Sequence, residues 1–235
     1  MIDWSLEWSS FYNQFITLGG YKRLFEGLLA TVEIAIFGLA IGIIIGILIA
    51  VVAVMPKYKL FPRILNGICN VYVAIFRGTP MVVQLLIGHY LLLPLLGVNV
   101  SSVFEAVIIF GLNSGAYVSE IMRSGIQSVD VGQLEAGRAV GLSFWTSMAK
   151  IVIPQSIKNI LPTLGNEFIS LIKETSVVSF IAATDLTKAL KLIGDATYHY
   201  FVPYIMLALI YLVLVLLITL GIRAMERRFK KSERQ

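Results

Sequence analysis

The chain has 235 residues, of which 57% are apolar and 14% charged, with a formal net charge of +5. Soluble domains carry roughly 25% charged residues, so a mean hydropathy of +0.84 points to a protein built for lipid. No stretch is long and polar enough for a separate soluble catalytic domain. A single Cys69 excludes an intrachain disulfide, and two isolated histidines offer no metal-ligand cluster.

In chain order, residues 1–20 come first. They begin Met1-Ile2-Asp3-Trp4 without a basic stretch ahead of an apolar core, which is unlike a cleavable signal peptide. Trp4, Trp8, Phe11, Tyr12 and Phe15 recur at helical spacing. That pattern suits an interfacial helix lying along the headgroups, or equally a disordered lead-in.

Residues 21–225 hold five apolar stretches of membrane-spanning length, predicted at about 28–55, 64–93, 103–123, 160–182 and 201–222. The first carries Gly38, Gly42 and Gly46, a four-residue repeat of small residues that lets helices approach closely in lipid. The second is interrupted at Arg77-Gly78-Thr79-Pro80, since proline removes a helix hydrogen bond and pushes the residue before it away from helix. It is predicted as one kinked span, because irregular backbone at membrane depth is tolerated only where protein or a wet cavity covers it. The fourth is unusually polar, with Asn166, Glu167, Ser170, Lys173 and Glu174. Residues 185–200 are predicted as an outer loop, and 226–235 as a basic tail facing anionic lipid rather than nucleic acid.

Five spans put the N-terminus outside and the C-terminus inside. Thirteen Lys and Arg then lie inside, four outside and two within spans, a bias that supports this orientation, although Lys22 and Arg23 oppose it locally. The fold class is therefore an all-α integral membrane protein. No internal repeat is evident, which suggests that a pathway through lipid needs a second subunit.

The loop 124–158 between the third and fourth spans is too polar for lipid and too patterned for a slack linker. Leu134, Ala136 and Val140 leave Glu135 and Arg138 on another flank, so a short amphipathic helix is predicted. Gly141 stands where a helix stop wants positive φ, and Ser143 can cap a second short helix bearing Phe144 and Trp145. Such a stiff knob fits a groove on a partner, where apolar anchors give affinity and rim charges set register.

These residues carry a resemblance. Glu135-Ala136-Gly137, Gly141 and Ile151-x-Ile153-Pro154 stand at the spacing of the EAA loop of ATP-binding-cassette (ABC) importer permeases, with Gly137 for the usual second alanine and Ile153 for the usual leucine. FRGTP (76–80) with Val83-Gln84, LNSGAY (112–117), EIMRSGIQSV (120–129) and GNEFISLIKETS (165–176) resemble the polar amino-acid uptake branch of that family, the histidine, glutamine, arginine and lysine type. The resemblance covers most of the chain. It implies a dimer of five-helix subunits, with a second copy or a sister permease. It further implies an ATPase docked on Glu135, Ala136, Gly137, Gly141, Leu142, Phe144 and Trp145, an external amino-acid-binding protein, and a bacterial cytoplasmic membrane. ATP and Mg would sit in the partner ATPase; no cofactor is expected here, and a GxxxxGK[ST] phosphate loop is missing. A rival reading is an ion-coupled secondary amino-acid transporter or channel subunit, with Glu167 and Lys173 as a relay.

A charge at the bilayer centre costs about 2.5–3.5 kcal/mol, so each needs a partner or a wet cavity. Glu167, with Asn166 beside it and Ser170 and Glu174 on its face, is predicted to take a substrate cation or to pair with Arg77 or Lys173. Arg77 can meet a substrate carboxylate or hold the fourth span through Glu174. Thr79 and Gln84 can bond substrate or satisfy backbone freed by the break, and Asn113 and Tyr117 can line the cavity or tie helices together. Glu120 and Arg123 read as a local ion pair, and Glu33, His89 and His199 as structural, the two histidines having no partner evident in sequence.

Overall fold

The computed structural model describes residues 4–55 and 60–232, with side chains through 227. Residues 1–3, the basic residues Lys57 and Lys59 with Pro56 and Tyr58, residues 233–235, and the side chains beyond Arg227 lie outside the described residues. Among the described residues every regular element is helical. Helix α1 spans Trp4–Tyr12, α2 Gly20–Val54 and α3 Leu60–Gly78. Helix α4, Met81–Ile87, passes through a π turn into the short α5, Leu93–Leu96. Then come α6 (Ser102–Gln127), α7 (Val131–Ala139), α8 (Phe144–Ser147), α9 (Ile153–Glu174), α10 (Leu186–Thr197) and α11 (Phe201–Ser232).

Helices α2 and α6 form the central pair. A Cβ on Gly42 would lie 2.7 Å from Ser114 Oγ, and one on Gly46 2.5 Å from Val118 Cγ1. Helix α6 answers with Gly111 against Ile41 and Gly115 against Ile45. Glycine on both sides lets the backbones meet more closely than any side-chain layer would permit. Around this seam Ile34, Leu85, Phe110, Leu171, Ile172, Val178 and Ile181 close one core drawn from α2, α4, α6, α9 and the 3-10 segment Thr175–Ile181.

Helices α2, α6 and α11 are each long and apolar enough to cross a bilayer. Helix α3 qualifies only together with α4–α5, and the two halves bend by 107° at the break. The region predicted as a polar fourth span is α9 followed by the 3-10 segment, and its many polar and charged residues leave α9 less apolar than the other three.

Residues 185–200, predicted as a loop, contain a helix instead. Leu186, Ala189, Leu190 and Ile193 fall at i, i+3, i+4 and i+7 and are all buried, which is the stripe of an amphipathic helix. Asp185 caps α10 by accepting from the Thr187 and Lys188 N–H groups at 3.0 and 2.9 Å. Burial pushes the Asp185 carboxyl pKa up, against the pull of those bonds. The cap sits on α2, where Thr31 Oγ1 accepts from Leu186 N and a Cβ on Gly27 would meet the Asp185 carbonyl at 2.5 Å. Helix α1 is ordered against this corner: Phe11 packs with Leu190 and Ile193, and the Trp4 ring meets Phe201 edge-on at 4.8 Å.

Gly46→Ala should lower thermal stability in detergent by about 1–3 kcal/mol through overpacking. Val118→Ala in the same chain should recover part of that loss, and simple additivity of the two would contradict the close seam. Asp185→Ala should cost about 1–2 kcal/mol for the lost cap. Asp185→Asn keeps the acceptor without the buried charge and should unfold at or above the wild-type temperature.

Candidate functional site

The break between α3 and α4 is built from the three residues expected there and one from α6. Pro80 is extended (φ −64°, ψ 141°), so carbonyls near the end of α3 lose their helical partners. The Gln84 amide nitrogen reaches back to Phe76 O at 2.8 Å, Thr79 O at 3.0 Å and Thr79 Oγ1 at 2.9 Å. Thr79 Oγ1 itself donates to Ile75 O at 2.8 Å. Asn113 Nδ2, on α6, donates to Gln84 Oε1 at 2.9 Å and to Phe76 O at 3.3 Å. Of the two readings of Thr79 and Gln84, this geometry favours satisfaction of freed backbone, because their donors are already engaged. Asn113 Oδ1 makes no hydrogen bond to another described residue and is the free acceptor of the network.

Arg77 ends α3, where a cation complements the helix dipole. Its guanidinium carbon lies 5.3 Å from the Tyr117 ring centroid, and Nη1 is 3.6 Å from Glu120 Oε2. Glu120 also holds Arg123, whose Nε donates to Oε1 at 3.2 Å. The expected Glu120–Arg123 pair is therefore present, enlarged by Arg77. The two expected alternatives for Arg77 as a partner of Glu167 or Glu174 are not formed: the break turns the arginine toward α6 rather than α9. Tyr72 fixes the same packing by donating to Leu112 O, its hydroxyl lying over Gly115.

Glu167 lies on the other flank of α6. Its Oε1 accepts from Ser114 Oγ at 2.9 Å, and Ser114 is wholly buried between α6 and Gly42 of α2. Glu167 pairs with neither Arg77 nor Lys173, and it forms no ion pair with any described residue. A half-buried carboxylate held by one neutral hydroxyl can accept a further charged donor. Asn166 is exposed and Ser170 half-buried, and neither side chain hydrogen-bonds to another described residue. Asn113 and Ser114 are adjacent in sequence, so α6 sends one side chain to the break and the next to Glu167.

The loop beyond α6 holds the two short helices, the Gly141 stop and the Ser143 cap that its sequence predicts, and adds a cap at Asp130. Asp130 caps α7 through Gly132 N at 2.7 Å, and Gly141 takes φ +88° at the stop. Val140 N and Gly141 N close onto Ala136 O and Arg138 O at 3.2 and 3.0 Å, and Leu142 N returns to Gly137 O at 3.1 Å. Ser143 Oγ then caps α8 through Thr146 N at 3.2 Å. Gly137 is buried because a Cβ there would meet Ile151 and Ser147 at 2.8 and 2.9 Å, which locks α7 onto the turn before α9. Glu135, Ala136 and Leu142 are exposed and Val140 is 78% exposed. The Phe144 and Trp145 rings meet edge to face at 5.3 Å, with Trp145 half exposed at the mouth of an apolar groove of about 420 Å³.

Both histidines have partners that sequence reasoning missed. His89 Nδ1 lies 2.7 Å from Glu105 Oε2, and His199 Nδ1 lies 2.9 Å from Glu7 Oε1. Separations of 16 and 192 residues leave no local signal for either. Ser114, also missed as a partner, is 53 residues from Glu167.

Comparison with known proteins agrees with this geometry. The family described as binding-protein-dependent transport system inner membrane component matches residues 14–231. The chain is 40% identical over 210 residues to the arginine transport system permease protein ArtQ of Bacillus subtilis (strain 168), covering 89% of this chain and 94% of that one. It is 39% identical over 203 residues to the putative glutamine transport system permease protein GlnP of Rickettsia bellii (strain RML369-C), covering 86% and 91%. Against the crystal structure of an amino acid ABC transporter with histidines, the TM-score is 0.81 at 39% identity, covering 91% and 98%. An inward-facing MetNI methionine ABC transporter, at 18% identity and a TM-score of 0.72, shares the fold. The chain therefore belongs to the binding-protein-dependent transport system inner membrane components and is an ABC importer permease for amino acids, a transport subunit without an ATPase site of its own.

Proposed function

We propose that this permease carries polar, cationic amino acids across a bacterial cytoplasmic membrane, powered by a separate ATPase subunit docked on α7 and α8. The observation that carries the substrate class is Glu167: a half-buried carboxylate, bonded to a neutral serine, without a cation of its own among the described residues. Leaving such a charge unpaired in lipid is costly, and an incoming guanidinium or ammonium removes that cost. Asn113 Oδ1 is available for the polar backbone of the substrate, and Arg77 would have to leave Glu120 to join it. The arginine named for the Bacillus relative supports this reading, and the glutamine named for the Rickettsia one marks its nearest competitor.

In this reading α2, the broken α3–α5 unit, α6, α9 with its 3-10 segment, and α11 each cross the bilayer. The N-terminus is outside, α7 and α8 inside, and residues 226–235 form a cytoplasmic tail. A second permease copy or a sister permease completes the pathway, and an external binding protein delivers substrate. ATP-driven closure of the ATPase pair biases the spans between inward-facing and outward-facing states. The α7–α8 knob transmits that motion, because Gly137 and the caps leave it little freedom to bend.

Glu167→Gln preserves size and the acceptor for Ser114 but removes the charge. With a charge-assisted hydrogen bond worth about 1.5–3 kcal/mol, KM for L-arginine uptake in proteoliposomes should rise roughly ten- to hundredfold while L-glutamine uptake changes little. An unaltered preference for L-arginine would take Glu167 out of the site. Proline fixes φ near −65°, whereas Gly141 sits at +88° and its N–H donates to Arg138 O. Gly141→Pro should therefore lower the number of amino acids moved per ATP hydrolysed by about tenfold or more. A wild-type ratio would show that the knob does not transmit the stroke.

A further inference from the structure

A polar track runs down the groove between α3 and α6, away from the break. On α3, Asn66, Asn70, Val73 and Arg77 fall at i, i+4, i+7 and i+11, one helical face. On α6 the facing stripe is Asn113, Tyr117, Glu120, Arg123 and Gln127. Between its lower halves and the end of α2 lies a chamber of about 410 Å³, within the roughly 300–1,000 Å³ of small-molecule sites. The side-chain amides of Asn66, Asn70 and Gln127 line it and make no hydrogen bond to another described residue. Across from them stands the Glu120–Arg123 pair. The opposite face of α3 carries Ile64, Ile68, Val71 and Ile75, each more than half exposed, as lipid contact requires.

An amide stripped of water without a partner costs roughly 2–7 kcal/mol in apolar surroundings. Unpaired amides on a helix whose other face is aliphatic therefore mean that water reaches this side. Eleven residues separate Asn66 from Arg77, about 16 Å along the helix axis. That is close to half of a hydrocarbon core of about 30 Å.

We infer that the α3–α6 groove is the cytoplasmic limb of the pathway and that its chamber is a second holding site for the substrate, reading the amino-acid backbone rather than the side chain. Arg123, with the asparagine amides, faces the α-carboxylate, and Glu120 faces the α-ammonium. Glu120 and Arg123 stand one helical turn apart and are paired with each other, so a zwitterion enters by exchanging that contact for its own ammonium and carboxylate. Glu167 then selects the side chain and the chamber accepts any α-amino acid that passes it. This inference rests on the reading of the chain as an amino-acid importer permease.

The test uses the assembled transporter, without nucleotide, in inside-out vesicles, with Cys69→Ala as background. Asn70→Cys is labelled with a membrane-impermeant cationic methanethiosulfonate, and Asn66→Cys provides a second reporter should the first variant not assemble. Labelling should be at least tenfold faster than at Ile68→Cys, on the lipid face. L-Arginine should slow it threefold or more, whereas agmatine, with the same guanidinium but no carboxylate, should not. Labelling no faster than at Ile68→Cys would show a dry groove and overturn the track. Fast labelling untouched by L-arginine and L-glutamine, or equal protection by agmatine, would overturn the backbone site. Either failure beside normal wild-type amino-acid uptake condemns the chamber alone, whereas absence of that uptake condemns the importer reading.

Discussion

The close seam between α2 and α6 is the constraint on which the rest of the structure depends. Glycine at 42 and 46 on one helix and at 111 and 115 on the other removes the side-chain layer that separates ordinary helices. In lipid, where apolar burial offers little driving force, such contact is what holds two helices together. The seam also sets the chemistry. Ser114 occupies the space that a Cβ at Gly42 would need, and from there its hydroxyl reaches Glu167 on α9. The neighbouring Asn113 turns the other way and closes the broken α3–α4 unit. One helix thus fixes both the carboxylate and the break, each by a single side chain.

The distribution of polar groups follows from what lipid forbids. Backbone carbonyls opened by Pro80 are met by Gln84, Thr79 and Asn113 rather than left bare. Arg77 is shared between the Tyr117 ring and Glu120. His89 meets Glu105 and His199 meets Glu7, which ties the α4–α5 segment to α6 and α1 to the turn before α11. Glu167, beyond its bond to Ser114, and the amides of the α3–α6 groove have no such partner among the described residues.

Periodicity made the three apolar helices legible, and the Arg77–Pro80 break was visible because proline and glycine act through the local backbone. The turn between α7 and α8 was legible to the residue, since Gly141 and Ser143 act within four positions of themselves, whereas the Asp130 cap of α7 went unread. What stayed hidden was long-range or masked by composition. Arg77 has candidate carboxylates on two helices, and only the 107° bend decides between them. Helix α10 hid behind an expectation that short connections outside spans are loops, although its stripe of Leu186, Ala189, Leu190 and Ile193 was readable. Asn66 and Asn70 hid inside a stretch scored by average hydropathy; their spacing to Arg77 shows a polar face only when the helix is read by angle.

In the proposed function, a carboxylate kept for the substrate, a rigid helix pair and a stiff docking loop act as one mechanical unit. The most direct measurement of it is ATP hydrolysis by the transporter reconstituted in liposomes with its ATPase and binding protein, in the presence of L-arginine, L-glutamine or L-glutamate. The account predicts stimulation in that order, with L-glutamate near the unstimulated rate. Equal stimulation by L-glutamate and L-arginine, or none by either, would contradict it.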